Sequence, residues 1–127
     1  MKIEIETLLE QTEWLLTLTD EAYTRFQKGK EEEVYPAFDF YTDIQPAVER
    51  LETHMTDWLQ TASLFVKDRK PKYLHQEQLK AVEENLKEVV LQSYFGKLQP
   101  TRVKNLVESV TYTLNLLIEE VKNEKRS

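Results

Sequence analysis

Apolar or small residues recur at alternating spacings of three and four along four stretches of this chain, which leaves it little to fold into besides packed helices. The plainest stretch is Tyr41, Ile44, Val48, Leu51, Met55, Trp58, Ala62, Phe65. A helix turns about 100° per residue, so such spacing draws one buried seam of the kind that packs helices side by side in a left-handed bundle. Val103, Val107, Val110, Leu114, Leu117, Val121 draw a second seam. Two weaker ones pass through Ile5, Leu8, Thr12, Leu15, Thr19, Ala22, Phe26 and through Leu79, Val82, Leu86, Val89, Ser93. Four seams predict an all-α four-helix bundle.

Punctuation divides the seams. Gly29 and Gly96 are the two glycines, and each follows a patterned segment where a left-handed C-terminal cap is expected. Pro36 follows the acids Glu31, Glu32 and Glu33 and suits the first turn of helix 2, Pro71 stops that helix, and Pro100 with Thr101 opens helix 4. The start of helix 3 near His75 shows no clear cap. Helices are expected at about 3–28, 36–68, 75–95 and 101–123, joined by loops short enough to force antiparallel, up-down-up-down neighbours. Helix 2 is the longest. Pro46 removes one of its hydrogen bonds and crowds the carbonyl four residues earlier, which predicts a kink there and a bent overhang over residues 36–45.

At 127 residues the whole of 1–127 is expected to form one domain with a core of its own. The absence of cysteine excludes disulfides, thiolate metal sites and cysteine nucleophiles, and fits a reducing cytoplasm. Apolar runs such as Leu116-Leu117-Ile118 are far shorter than the roughly 20 residues of a membrane span, and the acids Glu4 and Glu6 stand where a signal peptide would need an unbroken apolar stretch. A cytoplasmic protein is therefore expected. The net charge of −6 argues against nucleic acid and anionic membrane as partners, since both need a basic footprint.

Catalytic and metal-binding patterns fail on spacing. Di-iron bundles need Glu-x-x-His, but Leu51 precedes His54 by three and Lys72 precedes His75 by three. Magnesium-dependent all-α pyrophosphohydrolases pair Glu-x-x-Glu with Glu-x-x-Asp. Glu49-x-x-Glu52 and Glu10-x-x-Glu13 supply the first half, and nothing supplies the second. In so glutamate-rich a chain a lone Glu-x-x-Glu is read as a solvated helix face. No serine or threonine has a base at helical spacing. Thr12, Thr19 and Ser93 lie on seams, where the hydroxyl can bond the carbonyl one turn back and the small side chain makes room for Trp58 or Trp14. No catalytic residue, metal or cofactor is assigned.

Chain direction then places the end of helix 1, the overhang and the end of helix 3 at one pole, gathering Tyr23, Phe26, Tyr35, Phe38, Phe40, Tyr41, Tyr94 and Phe95. Because a helix cannot bury every side, Phe38, Phe40 and Tyr41 cannot all point inward. Phe38, Asp39, Phe40, Tyr41, Asp43, Tyr94 and Phe95 form the candidate binding patch, for an apolar ligand or a partner helix with a basic flank. The plainer reading is an aromatic plug that seals the bundle. The opposite pole collects Lys67, Arg69, Lys70, Lys72, Lys2 and the tail from Lys122 to Arg126. Leu64, Leu91, Tyr112 and Leu116 miss the seams and could serve a weak homodimer; otherwise the chain is monomeric.

Phe38-x-Phe40-Tyr41-x-x-Ile44-x-Pro46, followed by Trp58 and Ala62, resembles the helix 2 pattern of the YppE-like family of small bacterial proteins, a resemblance that spans essentially the whole chain. It implies a cytoplasmic four-helix bundle without an established activity, and carries over no catalytic residues. The function expected is a non-enzymatic binding or regulatory module for an unknown protein or small apolar ligand. The alternative is a metal-dependent hydrolase whose carboxylate site is too degenerate to match these motifs.

Overall fold

A computed structural model describes residues 4–32 and 38–126; of residues 125 and 126 it describes the backbone alone. Tyr35, Pro36 and Lys2 lie outside the described residues, and the helix expected from residue 36 begins later: Phe38 and Asp39 are not helical, because Asp39 is the extended cap of a run that starts at Phe40. Among the described residues there are four α-helices and no strand: α1 (Ile5–Glu31), α2 (Gln45–Arg69), α3 (Gln76–Phe95) and α4 (Pro100–Arg126), with a π-helical turn, Phe40–Ile44, running directly into α2. From Phe40 to Arg69 the backbone is one helical run, longer than any other, whose winding changes just before Pro46.

Side-chain contacts give the direction of each helix. Thr12 meets Trp58 and Trp14 meets His54, while Glu52 meets Lys87 and Ser63 meets Gln76, so numbers rise on one helix as they fall on the next. Arg25 with Ser93 and Lys30 with Gly96 rise together, because α1 and α3 are the like-directed diagonal pair. Those two helices each pack on the other three, and α2 and α4 flank them. Arg69 Nε reaches Glu124 Oε1 at 2.7 Å where α2 and α4 end.

The seams form one core, from Leu8 to Phe26 on α1, Leu51 to Phe65 on α2, Leu79 to Val89 on α3 and Val103 to Val121 on α4. Three expected members differ, the first being Ile5, which is half-buried at the start of α1. Val48 is only half-buried, and Tyr41 is 76% exposed, for a reason given below. At the centre Trp58, with no exposed surface, donates its indole N–H to Thr12 Oγ at 3.0 Å, while Thr12 donates to the Leu8 carbonyl at 2.7 Å. Thr19 and Ser93 make the same kind of backbone bond, to Leu15 and Val90. The seam hydroxyls therefore satisfy themselves inside an apolar core, and one of them also satisfies the only polar atom of the largest buried side chain.

The helix ends follow their expected chemistry with one exception. Gly96 is left-handed, with φ 62°, and closes α3, whose Gln92 side-chain oxygen accepts from Lys97 N and Leu98 N and ties down the α3–α4 loop. Lys70 takes the left-handed cap of α2 with φ 48°, because the following Pro71 cannot continue the helix. His75 opens α3, its backbone N–H held by Gln78 Oε1 at 2.7 Å, and Pro100 is the first residue of α4. Gly29 is the exception. It lies buried inside α1, which runs to Glu31 and ends on Glu32 in right-handed geometry, because Gly29 falls on the continuing seam three residues after Phe26.

Truncating Trp58 to alanine should lower stability by about 3–5 kcal/mol, the range for deleting a large core aromatic. Thr12→Val keeps the volume but strands the indole N–H, and should cost about 1–3 kcal/mol. Urea unfolding measures both. A Thr12→Val protein as stable as the parent would show that the indole bond contributes nothing.

Candidate functional site

The expected overhang is built from its N-terminal cap. Asp39 is extended (φ −80°, ψ 129°) rather than helical, and its Oδ1 accepts from Thr42 N at 2.8 Å. Asp43 Oδ2 accepts in return from Asp39 N at 2.8 Å. In an ordinary capping box the returning side chain stands three residues after the cap, but here it stands four residues on. The wider loop goes with wider winding: Ile44 N reaches back five residues to Asp39 O at 3.2 Å, and Gln45 N to Phe40 O. Pro46 has no N–H to extend that pattern, and from there the α-helix takes over.

This winding explains the exposure of Tyr41. At α spacing, Tyr41 would share the face of Ile44 and Val48; with more residues per turn ahead of it, Ile44 stays in the core at 4% exposure and Tyr41 is carried off the seam. Phe40 is 53% exposed and packs edge-to-face on Tyr41, ring centroids 5.3 Å apart. Phe38, half-buried, packs edge-to-face against Tyr94 at 4.8 Å. The Arg25 guanidinium lies 4.3 Å over the Tyr94 ring while its Nε donates to Ser93 Oγ at 3.0 Å. Next along α3, Phe95 is 43% exposed.

The pole therefore has two layers. Phe26 is buried and Tyr23, Phe38 and Tyr94 are half-buried, which is the plug. Phe40, Tyr41 and Phe95 stand outside it in water. Asp39 and Asp43 are exposed beside them. The bond from the Thr42 backbone N–H, above all, and then the Thr42 side chain hold the Asp39 carboxyl below its ordinary pKa, so Asp39 is ionised at neutral pH. The π winding and the part played by Arg25 were not read from the sequence. The signal for the first was Asp39 itself, a good cap followed four residues later by a second acid.

Elsewhere the candidates disperse. His54 is exposed and stacks on Trp14, centroids 3.8 Å apart. Glu49 accepts from Gln45, and Glu52 pairs with Lys87 at 3.0 Å. Among the described residues no three His, Asp or Glu side chains converge as a metal would require. At the far pole Arg69 is engaged by Asp68 and Glu124, and Lys72 lies over the exposed Tyr73 ring. Tyr112 and Leu64 are exposed, whereas Leu91 and Leu116 are half-buried. No helix among the described residues is long and apolar enough to cross a membrane.

Residues 12–121 match a family model described as a bacterial domain of unknown function, DUF1798. The chain is 39% identical over 119 residues to the uncharacterised protein YppE of Bacillus subtilis strain 168, covering 94% of this chain and 95% of that one. Its backbone is similar to the crystal structure of B. subtilis YppE, with TM-score 0.90 and 38% identity over 96% of this chain and 98% of that one. It is also similar to a crystal structure of a protein of unknown function from Listeria innocua, with TM-score 0.87 and 27% identity over 94% of each chain.

Two outcomes are expected. Magnesium, zinc or ferrous iron should leave the melting temperature unchanged, since only a ligand that binds the folded state raises it; a reproducible rise of several degrees with one metal would count against this. Because the pKa of Asp39 is lowered on folding, its contribution to the cap is complete above the ordinary carboxylate value and is lost as pH falls through the lowered one. The Thr42 amide proton should report that titration by NMR. A midpoint at or above that of a free aspartate would refute the cap.

Proposed function

The chain belongs to the DUF1798 family, a bacterial domain of unknown function, and from that premise we propose that it is a non-enzymatic binding module whose aromatic pole takes a protein partner. What carries the reading is that Phe40 and Tyr41 are held outward by a capped π turn instead of being folded onto the seam. Single π turns are uncommon and recur at functional sites. Exposed aromatic side chains are also the residue type enriched at the centre of protein interfaces, where large rigid rings bury much area at little entropic cost.

A protein suits this surface better than a small apolar ligand does. Small ligands need a concavity that encloses most of their surface, whereas these rings project into solvent. An apolar stretch on a helix, lying across Phe40, Tyr41 and Phe95 with a lysine or arginine toward Asp39 and Asp43, meets both the apolar and the charged parts of the patch. A cysteine-free chain fits the reducing cytoplasm as the place of action, as a monomer or weak homodimer.

The test is comparative capture from a bacterial lysate, with partners identified by mass spectrometry and then titrated as purified proteins. The parent should retain a partner whose affinity falls at least tenfold with Phe40→Ala and with Tyr41→Lys, while the melting temperature of each variant stays at that of the parent. Variants that bind every captured partner as tightly as the parent would overturn the reading.

A further inference from the structure

We infer that the π turn is a two-register switch: it can rewind into α geometry without giving up a backbone hydrogen bond, and in doing so withdraws Tyr41 from the surface. The inference deepens the binding reading above, and names the regulation of that same patch.

The hydrogen bonds carry the argument. Three N–H groups matter, those of Asp43, Ile44 and Gln45. In the structure Asp43 and Ile44 both donate to Asp39 O, at 2.9 and 3.2 Å, and Gln45 donates to Phe40 O. In α register Asp43 would keep Asp39 O, Ile44 would take Phe40 O, and Gln45 would take Tyr41 O. Each donor is used once in either state. Conversion is also local, because Pro46 has no N–H to be reassigned and the change of register ends there. The rest of α2 keeps its seam.

The side chains distinguish the two states. The spacing Tyr41, Ile44, Val48, Leu51 suits α register, where Tyr41 would fall in line with Val48, now only half-buried. Against that stands the bond from Asp39 N to Asp43 Oδ2, made across four residues and matched to the wider loop. Asp43 is therefore the latch that holds the exposed form, and burial of Tyr41 is the opposing pull. A partner that grips Tyr41 binds only the π register and shifts the population toward it.

The experiment uses the isotope-labelled full chain, free of any partner. Asp43→Ala should raise the α-register population roughly two- to tenfold, as loss of one exposed hydrogen bond implies. It should be read as relaxation dispersion at the amides of residues 41–45, with helical carbon shifts kept and new contacts from the Tyr41 ring to the Val48 methyls. Adding Tyr41→Lys to Asp43→Ala should abolish that exchange, because a charged side chain cannot enter the seam. Flat dispersion and unchanged contacts in Asp43→Ala would overturn the switch, as would coil shifts over residues 40–45. Because no partner is present, failure here leaves the capture result standing, and failed capture leaves an observed switch standing.

Discussion

Trp58 and Thr12 fix the register between α1 and α2, and the placement of everything at the aromatic pole depends on that register. An indole nitrogen without a partner in the core would be costly, and the Thr12 hydroxyl is the acceptor it finds. The hydroxyl can accept because its own hydrogen is directed to the Leu8 carbonyl. Sliding α2 along α1 by one turn would leave that N–H facing apolar atoms, so the polar pair selects one alignment where apolar contacts alone would tolerate several. With Trp58 level with Thr12 and His54 level with Trp14, the start of α2 comes beside the ends of α1 and α3.

At that end two elements are tied to the bundle by polar anchors. Arg25 reaches Ser93 and lies over Tyr94, and Lys30 reaches the Gly96 carbonyl, which together hold the ends of α1 and α3 level. Phe38 packs on Tyr94 from the segment ahead of the π turn. Past that contact the backbone turns on its own cap, and the exposed rings are carried by a short element whose hydrogen bonds are local. The pole thus combines a floor anchored to neighbouring helices with an upper layer held by its own local bonds.

Most of the architecture was readable because helical spacing is a geometric property of the chain. Seams that place Leu8, Leu51, Leu86 and Leu114 on inward faces need four helices to cover one another. Gly96, Pro71 and Pro100 marked true boundaries because each acts through its own backbone. Gly29 did not, since a glycine reads alike whether it caps a helix or sits on its buried face. Tyr41 was misplaced for a different reason. Extending the seam assumes constant winding, and winding at the start of α2 is set by hydrogen bonds from Asp39, Asp43 and their backbone, which apolar spacing does not record. The pole's aromatic content followed from topology; the division between buried floor and exposed rings followed from cap chemistry.

The exposed rings then pose an energetic question. Burying a phenylalanine-sized side chain is worth about 1.5–3 kcal/mol, so a bundle optimised for stability alone would fold Phe40 and Tyr41 against its end. Here the acids on either side of Thr42 cap the helix start in a geometry that turns the rings outward, and Pro46 keeps that geometry from spreading into α2. Replacing Asp39 and Asp43 by apolar residues would remove the cap and the acidic edge together. The same two side chains therefore shape the surface and set its charge, which ties the fold of this segment to the character of the surface it presents.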